Sequence, residues 1–144
     1  RDATLSRIAA LARRTGFAVL PRGAHGLRMP VHVDDLARAA LDCLPAAASH
    51  GRAYALPGGE VLAYREMVRR VLRALQPPAR LLEVPAPLFS LAVRAAQATG
   101  RLQGLGPAVV ARMRDDLVFD AGPAARDFGY APRAFAPTGA MLDP

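Results

Sequence analysis

Apolar and polar positions along this chain follow two rhythms, helical and strand-like, and proline or glycine marks most changes between them. A helical period comes first: Leu5, Ile8, Ala9 and Ala12 fall on one side, with Arg7, Arg13 and Arg14 on the other. Asp2 suits the cap of this helix and Gly16 its left-handed end. Phe17 to Leu20 predicts a short strand closed by Pro21-Arg22-Gly23, and Gly23 to Gly26 a flexible turn. Arg28-Met29-Pro30-Val31-His32-Val33 reads as an extended segment running straight into a second helix. Asp34 is its expected cap, and Asp35 falls in the first turn, where the helix dipole favours negative charge. Leu36, Ala37, Ala40, Leu41 and Leu44 form its predicted inward stripe. Cys43, in step with Leu36 and Ala40, is expected to face the core as an inert thiol.

Pro45 stops that helix, and Ala53 to Leu56 predicts a strand turned by Pro57-Gly58-Gly59. Met67, Val68, Val71, Leu72 and Leu75 mark a third helix, with Arg65, Arg69, Arg70 and Arg73 solvated and Pro77-Pro78 ending it. Arg80 to Val84 is another predicted strand. Pro87 opens a helix to about Thr99 that is apolar nearly all round, so it should be buried or meet a partner surface. Gly100 to Gly106 reads as a connection, Pro107 to Arg114 as a short helix and Leu117 to Phe119 as a strand. Pro123 to Phe128 is a last turn of helix ended by Gly129. The tail over 134–144 has two prolines and little to pack, and is expected to be loosely held. Alternating strands and helices give an α/β or α+β class, with strands so few and short that the main sheet should lie elsewhere.

Composition narrows this picture. At 52% apolar the chain can bury a core, and 144 residues fit one domain. A single cysteine allows no internal disulfide and suits a reducing cytoplasm. The longest apolar run, Pro85 to Ala98, is too short to span a bilayer and carries Arg94, so neither a transmembrane segment nor a secretory leader is expected. A first residue of Arg1 rather than Met points to a piece of something longer. The net charge of +7 invites anionic partners, yet all 19 basic residues are Arg. They are spread over several helices without interleaved aromatics, and an Arg-only, Ala-heavy chain looks like coding bias. Nucleic acid is therefore not the expected partner.

Four stretches carry a resemblance. Arg28-x-x-Val31-His32-Val33-x-Asp35-Leu36-Ala37 is similar to a segment in the C-terminal half of extended short-chain dehydrogenase/reductases, the NAD-dependent epimerase/dehydratase family. Tyr54-Ala55-Leu56-Pro57-Gly58-Gly59-Glu60, Tyr64-Arg65-Glu66-Met67 and Asp127-Phe128-Gly129-Tyr130-Ala131-Pro132-Arg133 resemble later segments, in the family's order. The resemblance implies that residues 1–133 are the C-terminal, substrate-binding portion of an extended Rossmann-type dehydrogenase/epimerase. The parent would bind NAD or NADP and act on a substrate such as a nucleotide-sugar, with the missing N-terminal Rossmann half as partner. It also implies that Arg28 contacts the substrate diphosphate, and that Tyr130 is a structural turn without chemistry. Arg112, which precedes Asp115 and Asp116, is a looser match to a second substrate-binding Arg, since the usual Pro-Gly is missing.

Elementary chemistry sets limits on that reading. The chain has no lysine, so neither a Tyr-x-x-x-Lys pair nor a lysine Schiff base is possible within it. No Gly-x-Gly-x-x-Gly follows a strand and opens a helix; Gly100-Arg101-Leu102-Gln103-Gly104-Leu105-Gly106 has the wrong spacing and precedes Pro107. No catalytic residues or metal ligands are therefore assigned, and none of the cofactor contacts. Arg28 is the best ligand candidate, because a planar guanidinium matches diphosphate oxygens, although pairing with Asp34 or Asp35 would explain it equally. His32 could hold a ligand, or simply bond its strand neighbours. Asp34-Asp35 and Asp115-Asp116 read as helix-end charges. The expected function is a substrate-binding wall with no turnover of its own. The alternatives are a non-catalytic scaffold of the same superfamily and a basic module for nucleic acid or an anionic surface.

Overall fold

The computed structural model describes residues 3–98 and 113–142. In chain order these form α1 (Ala3–Thr15), β1 (Phe17–Pro21), β2 (Leu27–Arg28), α2 (Val33–Asp42), a 3-10 turn (Ala47–Ser49), β3 (Leu62–Ala63) and α3 (Tyr64–Arg73). β4 (Arg80–Val84), α4 (Ala86–Ala98), α5 (Gly122–Phe128) and a second 3-10 turn (Gly139–Met141) follow. Helices dominate and the sheets are small, which is an α+β arrangement. Length suggested one domain, but the chain divides into two compact units: Arg1–Leu27, Ala63–Asp116 and Pro137–Pro144 in the first, Arg28–Leu62 and Leu117–Ala136 in the second. Asp2, the 100–106 connection and most of the helix expected over Pro107 to Arg114 lie outside the described residues.

In the first unit α3 supplies the core. Its apolar residues recur so that Val68, Val71, Leu72 and Leu75 are fully buried and Met67 nearly so. Leu5, Ala9 and Ala12 of α1 are buried in the same unit, as are Ala18 and Leu20 of β1. No side chain caps α3. Its first N–H groups find main-chain acceptors instead, Tyr64 donating to Gly26 O and Arg65 to Ala24 O. Glu66 accepts from Arg69 (2.7 Å) and lies 3.7 Å from Arg70, so these two arginines are half-buried partners of an acid, not solvated charges. β1 and β4 pair in parallel from Phe17↔Arg80 to Pro21↔Val84. The ladder is continued by Arg80 N–H to Gly16 O and Arg22 N–H to Val84 O. The end of the chain, expected to be loose, has Leu142 buried, with Arg13 donating to the carbonyls of Leu142 and Gly139.

The second unit departs further from the pattern. Its core is Ala39, Ala124 and Tyr130, with Tyr54, Leu56, Ala121 and Phe128 packed against them. α2 is capped by His32 rather than Asp34, the imidazole Nδ1 accepting the Asp34 N–H at 3.1 Å. The helix also turns a different face inward: Asp35 and Ala39 are buried, while Leu41 and Leu44 are 68% and 69% exposed. The physical reason is that Asp35 is held by Arg133 and Ala39 packs in the cluster with Tyr130, and these fix the rotation of the helix over its apolar stripe. Cys43 is accordingly half-buried at the C-cap, its thiol donating to Ala40 O. Ala53 to Leu56 forms no strand, and Leu117 to Phe119 contributes only a one-residue bridge, Leu117 with Arg28. α5 ends as expected, at Gly129 with φ +75°.

These two helices make opposite predictions for truncation. Leu72→Ala lowers the unfolding free energy by about 3 kcal/mol, the cost of a cavity in a closed core. Leu41→Ala, which removes an exposed side chain, changes it by less than about 0.5 kcal/mol. Chemical denaturation of the two variants measures both.

Candidate functional site

The second unit brings three distant stretches of sequence together around one carboxylate. Asp35 is buried and held by a residue 98 positions away: Arg133 N–H donates to Oδ2 at 3.0 Å and Nε donates to Oδ1 at 2.9 Å, with Nη2 2.8 Å from the same Oδ1 as an ion pair. Both guanidinium nitrogens meet the one oxygen, Oδ1, and the backbone N–H takes the other, so each carboxylate oxygen has a partner. Burial pushes the Asp35 pKa up. The Arg133 backbone N–H, its side-chain hydrogen bonds and charge, and the His32 charge outweigh that, and the net direction is down.

The Pro57-Gly58-Gly59 turn threads between these stretches. Gly58 N–H donates to Met29 O and Gly59 N–H to Arg133 O. A side chain at Gly58 would collide with the Pro30 carbonyl, and one at Gly59 with the Pro132 carbonyl. Both positions need glycine because the neighbouring backbone passes too close for a Cβ. Tyr130 is buried and donates its hydroxyl to Pro57 O at 2.8 Å. Burial, then the Asp35 charge, raises its pKa.

A second polar cluster lies at Asp127 of α5. Tyr54 donates its hydroxyl to Asp127 Oδ2 at 2.6 Å, and Arg52 Nη1 donates to the same oxygen at 3.0 Å. The Tyr54 hydrogen bond, aided by Arg52, holds the Asp127 carboxyl below its ordinary range against the opposing effect of burial. Burial and the Asp127 charge raise Tyr54. The Tyr54 ring meets Phe128 edge-on at 5.1 Å, and Phe128 lies 6.4 Å from Tyr130.

Beside the Asp35 pair, one face of α2 and the residues after α5 line a small hollow of about 130 Å³: Asp35, Arg38, Ala39, Asp42, Gly129, Tyr130 and Ala131. Clefts that enclose a whole small molecule run to about 300–1,000 Å³, so this hollow is too small to enclose a nucleotide-sugar. Arg38 and Asp42 can bond a small polar group; the Asp35 oxygens are already committed to Arg133. Within the hollow no nucleophile sits beside a base, and recognition is the chemistry it can supply.

Of the residues predicted from sequence, His32 is the α2 cap, with Nδ1 3.4 Å from Asp34 Oδ2. Arg28 ends β2, half-buried and bridged to Leu117, and is not among the residues lining the hollow. Arg112 lies outside the described residues. Asp35, read as a helix-end charge, is a buried partner instead, because Arg133 returns to it from the far end of the chain. The Asp35–Arg133 and Tyr54–Asp127 pairs had no local signal. Their members fall inside the stretches singled out for resemblance, which was the only available pointer. No protein-family model matches the chain, and no curated protein matches it.

Both carboxylates have folded values below their unfolded ones, which fixes the sign of the pH dependence. Their stabilisation is present above the unfolded carboxylate value of about 4 and is lost as pH falls through the lowered folded values. Asp35→Asn is expected to cost about 2 kcal/mol at neutral pH and to flatten the acid limb of the stability–pH curve. Urea unfolding followed from pH 7 down to pH 2 measures both effects.

Proposed function

We propose that this chain is the substrate-binding portion of an NAD(P)-dependent epimerase, dehydratase or reductase of the extended short-chain dehydrogenase/reductase type, working in the cytoplasm on a nucleotide-sugar. The observation that carries the reading is the convergence in the second unit. Three of the four stretches that resemble the family are joined there by Gly58 to Met29, Gly59 to Arg133, Pro57 to Tyr130 and Asp35 to Arg133. Motif matches arising by chance have no physical reason to bond one another. On this reading Arg28 offers its guanidinium fork to the diphosphate and His32 fixes the helix that follows.

The described residues do not fit a dinucleotide. β3 passes directly into α3 and β4 into α4 through Pro85, and neither junction holds a glycine to let a pyrophosphate approach the helix end. Hydride chemistry accordingly belongs to a missing N-terminal Rossmann half, and this chain contributes orientation and charge. A small hollow that cannot enclose a nucleotide-sugar is consistent with one wall of a cleft completed by that half. A second reading, a non-catalytic scaffold member of the same superfamily, is favoured by the exposed α2 face at Val33, Leu36, Leu41 and Leu44, which has the character of an assembly surface.

Calorimetric titration with UDP-glucose separates the two. The substrate-wall reading expects binding that weakens about tenfold or more in Arg28→Ala, the loss of a charge-assisted contact worth about 1.5–3 kcal/mol. It also expects no turnover by this chain with added NAD or NADP. Absence of binding, or binding indifferent to Arg28→Ala, favours the scaffold; turnover overturns both.

A further inference from the structure

We propose that His32 is a pH-sensitive latch at the start of α2: its neutral imidazole holds the first turn of the helix, and protonation releases it. His32 Nδ1 accepts the Asp34 N–H at 3.1 Å, one of the helix-start donors that have no partner within the helix. A nitrogen that accepts a hydrogen bond is bare, so the neutral ring carries its proton on Nε2. The His32 carbonyl takes the next two donors, Asp35 N–H at 3.1 Å and Leu36 N–H at 3.3 Å, and one residue thus closes the turn. Protonation places a hydrogen on Nδ1 and removes the lone pair. Two donors then face each other across the cap contact. Asp34 Oδ2, 3.4 Å from Nδ1, is the acceptor to which the imidazolium turns. That ion pair joins two side chains and leaves the Asp34 N–H without its bond.

The charges that face the ring come from two places. On α2 they are Asp34 and Asp35, whose carboxyl feels the His32 charge. From the segment after α5 comes Arg133, whose guanidinium is bound to Asp35. The carboxylates favour the imidazolium, and the positive end of the α2 dipole opposes it. Because these effects oppose each other, the change is one of bonding at the helix start and not of overall stability. The ring is 21% exposed, so protons reach it from solvent. An imidazole ordinarily changes charge between about pH 5 and 8, above the range of the carboxylates. His50 Nε2 lies 3.3 Å from Leu44 O, a partner that a ring N–H serves in either charge state, and His25 is exposed. Of the three histidines, His32 is the one whose bond requires a bare nitrogen. The latch lies on the segment that leads from Arg28 into α2, which Gly58 N–H also holds at Met29 O. It works without a ligand, so it does not depend on Arg28 gripping a diphosphate.

An NMR titration of the full chain from about pH 8 to about pH 5 tests the latch. The ring nitrogen signals of His32 are expected to show the proton on Nε2 at the alkaline end and on both nitrogens at the acid end. The Asp34 amide proton should shift with the same midpoint as the ring. Its protection from exchange, corrected for the intrinsic effect of pH, should fall about fivefold, the loss of one cap bond. His32→Asn caps through an oxygen that does not titrate, and should keep the Asp34 amide constant over the range. His32→Ala should leave that amide unprotected throughout. A neutral ring with its proton on Nδ1, a ring that keeps one charge state across the range, or one that titrates while the Asp34 amide stays still overturns the proposal. So does an Asp34 shift that persists in His32→Asn, which traces it to the carboxylates. The titration of the unaltered chain decides the matter even where a variant does not fold.

Discussion

The second unit depends on one ion pair, a buried carboxylate held by a half-exposed guanidinium. Asp35 and Arg133 are 98 residues apart, and their pairing joins the two chain segments that make up that unit. The carboxylate is taken out of water, which is costly, and three nitrogens of a single residue offset that cost. Once this pair is made, the rotation of α2 is no longer free. Ala39 turns inward with Tyr130, the leucines turn outward, and the Pro57-Gly58-Gly59 turn is trapped between Pro30 and Pro132. A polar contact here overrides an amphipathic pattern, because losing a buried charge's partners costs more than leaving a few leucines in water.

The first unit is organised by the opposite principle. Its centre is a run of aliphatic side chains on α3 with no polar group among them, and burial of that stripe needs no specific partner. Main-chain carbonyls at Ala24 and Gly26 complete the helix start, so even its cap does not depend on side-chain identity.

The features that bear on function lie in the second unit. The hydrogen-bonded convergence of the family-like stretches is there, with the small hollow beside it and the His32 cap at the start of α2.

Sequence periodicity by itself determined the elements whose cores are aliphatic: the α1 and α3 faces, the β1 and β4 strands, and the end of α5 at Gly129. In each, local spacing and burial demand the same geometry, so a pattern read over about ten residues suffices. Only the tertiary structure decided the facing of α2, its cap at His32, the unpaired state of Ala53 to Leu56, and the seat of Leu142. It alone decided that Asp35 is a buried partner while Asp34 stays a helix-end charge. The facing of α2, the burial of Asp35 and the seat of Leu142 are fixed by contacts with residues far along the chain, Arg133, Tyr130 and Arg13, while the His32 cap is a local bond to the Asp34 N–H. A charged pair closed across 98 residues leaves no trace in the spacing of its neighbours, since period records which face is apolar and not which distant group will claim it.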